Sequence, residues 1–335
     1  MLECVISAFI FLLGACIGSF LNVCIIRLPK EESVVTPRSH CLFCQKMIPW
    51  YDNIPILSYC ILGGKCRFCG VRFSFRYMLV EVLTALAFLG FYWSFGLTER
   101  FLAYSVMLWC FIVATFVDFE HRIIPDEISI GGMFLGLGLS AVFVHLHNVG
   151  TAELVLGRVI MQSVIGVCLG IHLIEYVWHR REFDQEDRML LGVILGMVAG
   201  EWIVSLFCAG AWTGGLNTVV PYLKSLDASL IGLLLGGGVI YLMGLVGDFI
   251  FRKESMGGGD VKLMALVGAF MGWKLAVLTF FIAPFFGAVY GIVEKIRTRD
   301  SAIAYGPFLV MGALVSLFYG DVIMAWILGQ YGILP

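Results

Sequence analysis

Two aspartates lie where apolar runs of the sequence meet polar segments. Asp118 ends one apolar run, and Asp260 begins another, directly after three consecutive glycines. An ionisable carboxylate at the edge of a membrane span marks a functional site by default. Because glycine lets the backbone turn sharply, Gly257 and Gly259 are expected to support the loop before Asp260. Two such carboxylates that share a proton suit acid–base hydrolysis of a peptide: one activates a water, and the other polarises the scissile carbonyl.

Each aspartate also has a purely structural interpretation. Asp118 could be a helix-end carboxylate that faces water, and Asp260, after its glycines, has the position of a helix N-cap. A cap at Asp260 is compatible with catalysis. Asp126 follows Pro125, and this pair is typical of a helix start. We therefore expect Asp126 to cap a helix rather than to react.

Four of the 11 cysteines form two Cys-x-x-Cys pairs, Cys41 with Cys44 and Cys66 with Cys69. Two such pairs at this separation predict a tetrahedral zinc site, because each pair supplies two suitably spaced thiolates. The alternatives are a redox pair or disulfides, and disulfides are disfavoured in a cytoplasmic loop. A zinc ion with four protein ligands is closed to substrate, so its role would be to stabilise a segment too small for its own core.

The composition indicates that membrane helices position these residues. Of 335 residues, 60% are hydrophobic and only 14% charged, and the mean hydropathy is +0.94. A net charge of −2 favours no polyanion-binding surface, so we expect no nucleic-acid partner. We expect an all-α polytopic membrane protein with about 8–10 transmembrane helices and a small cytoplasmic zinc-binding loop domain. The first apolar run lacks a basic start and a cleavage pattern, which predicts a retained helix rather than a signal peptide.

The apolar runs predict spans at 4–26, 76–96, 101–118, 128–147, 155–178, 189–210, 229–250, 260–272, 275–295 and 307–329. The run at 260–272 is short for a full crossing, so it must be tilted, partial or nearly continuous with the next. Lys and Arg concentrate in the loop after the first span and in alternate later loops. The positive-inside rule makes those loops cytoplasmic and places the N-terminus outside, with Asp118 and Asp260 both at the cytoplasmic boundary.

Several blocks of the sequence resemble the type IV prepilin peptidases, the bifunctional leader peptidases and N-methyltransferases of pilus and type II secretion systems. The blocks are Gly18-Ser-Phe-Leu-Asn22 through Arg27-Leu-Pro29, the double Cys-x-x-Cys segment with 49–58 between its pairs, Asp118 through Asp126, Gly257-Gly-Gly-Asp260-Val-Lys262 and, more weakly, Tyr305-Gly-Pro-Phe308. They occur in the family's order and cover nearly the whole chain except about 150–225, which would be a helix-pair insertion.

The resemblance implies a helical membrane aspartyl protease of the GxGD type in the bacterial inner membrane. Its catalytic aspartates would be Asp118 and Asp260, and its zinc ligands Cys41, Cys44, Cys66 and Cys69. Its substrates would be prepilins and pseudopilins, cut at the cytoplasmic face and then methylated on the new N-terminal residue with S-adenosylmethionine. The expected domains are the first helix (1–27), the Cys4 segment (28–75) and the protease domain (76–335).

The region after the Cys4 segment departs from the family pattern, because Met78 stands where a proline is expected. Nearby Glu81 lies in an apolar stretch, where it could serve methyl transfer or bind the substrate's new amine. The alternative for Glu81 is a boundary carboxylate paired with Arg76 or Arg72. For the whole chain, the alternatives are a peptidase without methyltransferase activity, an ion-coupled transporter with carboxylates at a broken helix, and a non-catalytic assembly scaffold.

Overall fold

The structure is a computed structural model, and it describes residues 1–147, 149–179, 196, 198–204, 206, 220–252, 256–297 and 304–330. Its helices are α1 (Leu2–Arg27), α2 (Leu57–Ile61), α3 (Arg76–Phe95), α4 (Glu99–His121), α5 (Asp126–Val142), α6 (Thr151–His179), α7 (Val220–Phe251), α8 (Gly258–Arg297) and α9 (Gly306–Gln330). The described residues contain no extended strand, only two isolated bridges inside the Cys4 segment. The expected all-α class is confirmed.

Seven helices of the described residues are long and apolar enough to cross a membrane: α1, α3, α4, α6, α7, α8 and α9. They confirm the predicted spans at 4–26, 76–96, 101–118, 155–178, 229–250 and 307–329. The predicted spans 260–272 and 275–295 correspond to the two parts of α8, which meet at a kink where the backbone of Gly272 leaves the helical conformation (φ 77°, ψ 170°). The predicted span 189–210 lies mostly outside the described residues.

The predicted span 128–147 is wrong at its end. Helix α5 stops at Val142, and the chain then turns, with the N–H of Leu146 bonded to the carbonyl of Phe143. Leu146 and His147 are nevertheless buried. Because Phe143, Val144 and Leu146 continue the apolar run past Val142, composition alone did not reveal the helix end.

The chain divides into two compact units, Met1–Ile128 and Ser129–Pro335. In the first unit, α1 packs on α3 and both contact α4. Two glycines of α1 allow the close approach: a Cβ on Gly14 would lie 2.8 Å from Cα of Ala85, and one on Gly18 would lie 2.8 Å from Cα of Glu81. Small residues four apart are a common helix-packing device in membranes.

In the second unit, α8 packs on both α7 and α9, and α6 packs on α7. The closest crossing joins Gly232 of α7 to Gly268 of α8: a Cβ on Gly268 would lie 1.9 Å from the carbonyl oxygen of Gly232.

A buried charge cluster connects α6 to α7, because Arg158 pairs with Asp227 at 2.9 Å and also with Glu201. Both carboxylates are almost fully buried.

Candidate active site and metal centre

The four predicted ligand cysteines converge in the segment between α1 and α3. Their sulfur atoms all lie within 4.8 Å of one another. Cys41 Sγ is 3.8 Å from Cys69 Sγ, and Cys44 Sγ is 4.0 Å from Cys66 Sγ. Tetrahedral zinc with Zn–S bonds of about 2.3 Å separates its ligand sulfurs by about 3.8 Å. The cluster therefore has the size and donor set of a Cys4 metal site.

The two cysteine pairs lie in knuckles with the same backbone pattern. The N–H of Cys41 bonds to the carbonyl of Lys46, and the N–H of Cys66 bonds to the carbonyl of Val71. In each knuckle, the residue after the second cysteine has a left-handed backbone: φ is 58° at Gln45 and 68° at Gly70. Because both loops curl back in this way, each pair presents its sulfurs toward the other pair.

Local polar groups favour the thiolate form of Cys66. Backbone N–H groups of Cys69 and Phe68 donate toward the sulfur of Cys66 and lower the pKa of that thiol to about 7. At the rim, Arg67 donates two hydrogen bonds to Asp52, at 2.6 and 2.5 Å, and these bonds lower the pKa of the Asp52 carboxyl. The pair joins the second knuckle to the short turn Trp50–Asp52.

The first predicted catalytic residue, Asp118, lies in the last turns of α4 and is 6% exposed. Its carbonyl accepts the N–H of Arg122, whose left-handed backbone ends the helix. Two residues after Asp118, Glu120 forms an ion pair with Arg76 at the start of α3. This ion pair joins the start of α3 to the end of α4, two residues after Asp118.

The second predicted catalytic residue, Asp260, lies in the first turn of α8 and is half-buried. Its N–H bonds to the carbonyl of Gly257 at 3.1 Å. A Cβ on Gly257 would lie at an ordinary distance, 3.6 Å, from Oδ2 of Asp260. The supporting role of Gly257 and Gly259 therefore stays a prediction.

Burial, with a smaller contribution from the charge of Asp260, raises the pKa of Tyr305 to about 12. Tyr305 begins the last of the family blocks, Tyr305-Gly-Pro-Phe308, so the charge of Asp260 acts on a residue of that block.

The two aspartates belong to different units of the chain, Asp118 to the first and Asp260 to the second. The assignment of the two residues to one catalytic pair therefore stays a prediction.

Glu81 lies one turn into α3 and is 8% exposed. Its Oε2 accepts a hydrogen bond of 2.7 Å from the backbone N–H of Ile56. Of the two partners in the alternative interpretation, Arg76 bonds to Glu120 instead. Residues five apart on a helix point to different sides, whereas neighbours on one face are three or four apart.

Three residues near Glu81 were not assigned a role from the sequence. Asn22 of α1 is 3% exposed, and its amide donates to the carbonyl of Tyr77 at 2.9 Å. Arg27 donates to the carbonyls of Ser33 and Pro37 at 2.9 and 2.8 Å. The sequence signals for Asn22 were a lone amide inside an apolar run and its place in the first block of the family resemblance. Nothing in the sequence identified Ile56, which acts through its backbone.

Two family models match the chain. The Bacterial Peptidase A24 N-terminal domain matches residues 12–95, which contain the Cys4 cluster and Glu81. The Type IV leader peptidase family matches residues 189–292, which contain Asp260. Asp118 lies between the two matched ranges.

Three curated relatives share one description, prepilin leader peptidase/N-methyltransferase. The relative from Legionella pneumophila is 28% identical over 348 residues, which cover 96% of this chain and 93% of the relative. The one from Pseudomonas aeruginosa (strain PAO1) is 26% identical over 92% of this chain and 89% of the relative. The one from Myxococcus xanthus (strain DK1622) is 42% identical over 134 residues, 40% of each chain.

No solved structure matches the chain. The family models and the relatives agree along the chain, and the helices and the Cys4 cluster of the structure fit them. The chain belongs to the type IV leader peptidase family.

Proposed function

We propose that this chain is a bifunctional enzyme of the bacterial inner membrane. It removes the leader peptide of type IV prepilins and of type II secretion pseudopilins and then methylates the new N-terminal residue. The observation that carries this proposal is the match over 96% of the chain to a relative described as prepilin leader peptidase/N-methyltransferase. The multi-pass helical architecture supports it, because a prepilin held in the bilayer by its own apolar helix needs an enzyme in the same membrane.

Hydrolysis would use Asp118 and Asp260 as one pair. Two neighbouring carboxylates cannot both ionise easily, so the pair holds one proton. One carboxylate takes a proton from the attacking water, while the protonated partner polarises the scissile carbonyl and later protonates the leaving amine. The proton belongs to the pair, so neither residue has a fixed role.

The proposed orientation puts this chemistry at the cytoplasmic face. With the N-terminus outside, and with the predicted spans 128–147 and 189–210 both crossing the membrane, α4 would end and α8 would begin on the cytoplasmic side, so Asp118 and Asp260 would lie on the same side of the membrane. The Cys4 segment between α1 and α3 is then cytoplasmic, where its thiols stay reduced.

The Cys4 cluster would hold a structural zinc ion, because all four sulfurs are used as ligands and no position is left for substrate. S-adenosylmethionine would supply an electrophilic methyl group. Glu81 would belong to this second reaction, in agreement with its position beside the Cys4 segment. The transporter and scaffold alternatives assign no function to the Cys4 site.

A cleavage assay tests the proposal. The purified protein in liposomes would be incubated with a prepilin, with and without S-adenosylmethionine, and mass spectrometry would determine the N-terminus of the product. We expect cleavage in both samples and the mass gain of a methyl group only with the methyl donor. Cleavage without methylation would support the peptidase-only alternative, and an intact prepilin would contradict the proposal.

A further inference from the structure

A cleft of about 730 Å³ lies within the first unit, between the C-terminal end of α1, the Cys4 segment and the start of α3. Six of its lining residues matter here: Ser19, Asn22, Arg27, Arg76, Tyr77 and Glu81. Small-molecule sites typically have about 300–1,000 Å³ and a few convergent polar groups. The cleft therefore has the size of a site for a nucleoside-sized ligand, and all of its walls belong to one unit.

Two buried polar atoms at this cleft could each form a hydrogen bond with a ligand. Among the residues that the structure describes, Oδ1 of Asn22 accepts no hydrogen bond, although the amide group of the same side chain donates to Tyr77 and Gly18. Nε of Arg76 also has no partner there. A buried polar atom without a partner is destabilising, because it has lost its hydrogen bonds to water. A ligand that offers an N–H to Asn22 and an acceptor to Arg76 would remove that cost.

The geometry around Glu81 points to a positively charged group. Asn22 lies five residues before the end of α1, and Glu81 lies five residues after the start of α3, so both are about 7–8 Å inside their helix ends. The contact of Gly18 with Glu81 holds these two helix faces together. A carboxylate and an unpaired amide oxygen at the same depth are suitable acceptors for an ammonium group.

Strain in the backbone supports a functional arrangement at this point. Ile56, which donates to Glu81, has φ 63° and ψ −53°. A β-branched residue rarely adopts positive φ, because the conformation is strained. The packing of the Cys4 segment thus holds the Ile56 N–H against Glu81 at a cost, which fixes the carboxylate in one orientation.

We propose that this cleft is the methyl-transfer site, where S-adenosylmethionine lies beside Arg76 and Tyr77 and the new amino terminus of the substrate lies between Asn22 and Glu81. The inference rests on the proposed function. Glu81 takes one proton from the substrate's ammonium group, and Asn22 accepts another of its N–H bonds. The freed lone pair forms the N–CH₃ bond as the S–CH₃ bond breaks, and the bonding electrons stay on the sulfur. The products are a methylammonium group, a neutral thioether and a protonated Glu81, which returns its proton to water.

Two variants test the site, with zinc content and prepilin cleavage as controls for folding. Val23 lines the cleft on α1, and Val23→Trp should fill part of it. We expect the dissociation constant for S-adenosylmethionine, measured by equilibrium dialysis with the purified chain, to rise at least about tenfold. Val5 is exposed on the same helix, so Val5→Trp is the matched control and should bind normally.

The nearly isosteric Glu81→Gln should keep S-adenosylmethionine binding but lower the methyl-transfer rate by at least about 100-fold at pH 7. Without the carboxylate, the amine must lose its proton to water. The remaining rate should then rise about tenfold per pH unit up to the amine pKa, near 8. The wild-type rate should change less over that range.

The outcomes separate this inference from the proposed function. If Val23→Trp and Glu81→Gln both methylate at the wild-type rate, the cleft is not the methyl-transfer site. Loss of cleavage and zinc together with methylation in Glu81→Gln would make Glu81 structural and overturn its role. A wild-type chain that cleaves prepilin but neither binds S-adenosylmethionine nor methylates would contradict the methyltransferase function itself.

Discussion

The backbone N–H of Ile56 donates a hydrogen bond of 2.7 Å to the carboxylate of Glu81. Ile56 lies between the two cysteine knuckles, whereas Glu81 lies on a membrane helix. One bond therefore connects the folding of the Cys4 segment to the position of the carboxylate assigned to methyl transfer. The aspartates proposed for cleavage, Asp118 and Asp260, lie on other helices, α4 and α8.

Removal of the metal should therefore affect the two reactions unequally. A chelator would unfold the Cys4 segment and release Glu81 from Ile56. We expect methylation to fall at least about tenfold and cleavage to change by less than about threefold. Both rates would be measured on the same prepilin before and after dialysis against chelator, and added zinc should restore methylation. Equal loss of both activities would contradict the separation.

Replacing Cys41 with serine should remove bound zinc. Cys41 is 1% exposed and lies in the cluster, and three remaining thiolates bind zinc more weakly than four. We expect zinc measured by mass spectrometry to fall from one ion per chain to well below one. Cys60 is an exposed free cysteine outside the cluster, so Cys60→Ser should keep the full content. Unchanged zinc in Cys41→Ser would refute the assignment.

The sequence predicted the Cys4 centre and most helices for physical reasons. Cys-x-x-Cys spacing is a local property, and its geometry follows from the knuckle turn that Cys41 and Cys66 share. Membrane helices require about 20 apolar residues, so α3 and α4 could be located within a few residues. The end of α5 could not be located in this way, because apolar residues continue past Val142.

The long-range contacts could not be predicted. The bond from Ile56 to Glu81 uses a backbone group, which leaves no trace in residue types. The pairing of Arg76 with Glu120 depends on how α3 meets α4. The sequence suggested Glu81, which is nearer along the chain, as an alternative partner of Arg76. The free acceptor of Asn22 becomes evident only when its neighbours are known.

Enlarging Gly268 should destabilise the second unit. Any Cβ at this position would lie 1.9 Å from the backbone of Gly232, so α7 and α8 would have to separate. We expect Gly268→Leu to lower the free energy of unfolding by about 3 kcal/mol or more. Gly166 is an exposed helical glycine with open space around it, and Gly166→Leu should be neutral or slightly stabilising. Thermal and denaturant unfolding in detergent would compare the two, and equal stabilities would contradict the close crossing.

Removing Arg158 should leave two buried carboxylates without their cation. Glu201 and Asp227 are 0% and 1% exposed, so Arg158→Met should cost about 3–5 kcal/mol of unfolding free energy. Lys274 forms a more exposed pair with Glu153, 37% and 41% exposed. Lys274→Met should therefore cost about 0–1 kcal/mol. Unfolding in detergent would give both values, and a small effect of Arg158→Met would mean that water reaches the cluster.

The central claim is that Asp118 and Asp260 act as one catalytic pair, and single-turnover cleavage of a prepilin tests it most directly. The variants are Asp118→Asn, Asp260→Asn and the double variant, with the exposed Asp126→Asn and Asp248→Asn as controls in the two units. We predict that each single variant loses at least about 10³-fold in rate and that the double variant is no worse, because the residues work as a unit. The controls should stay within about threefold of wild type. Cleavage by either catalytic variant at a near-normal rate would contradict the account.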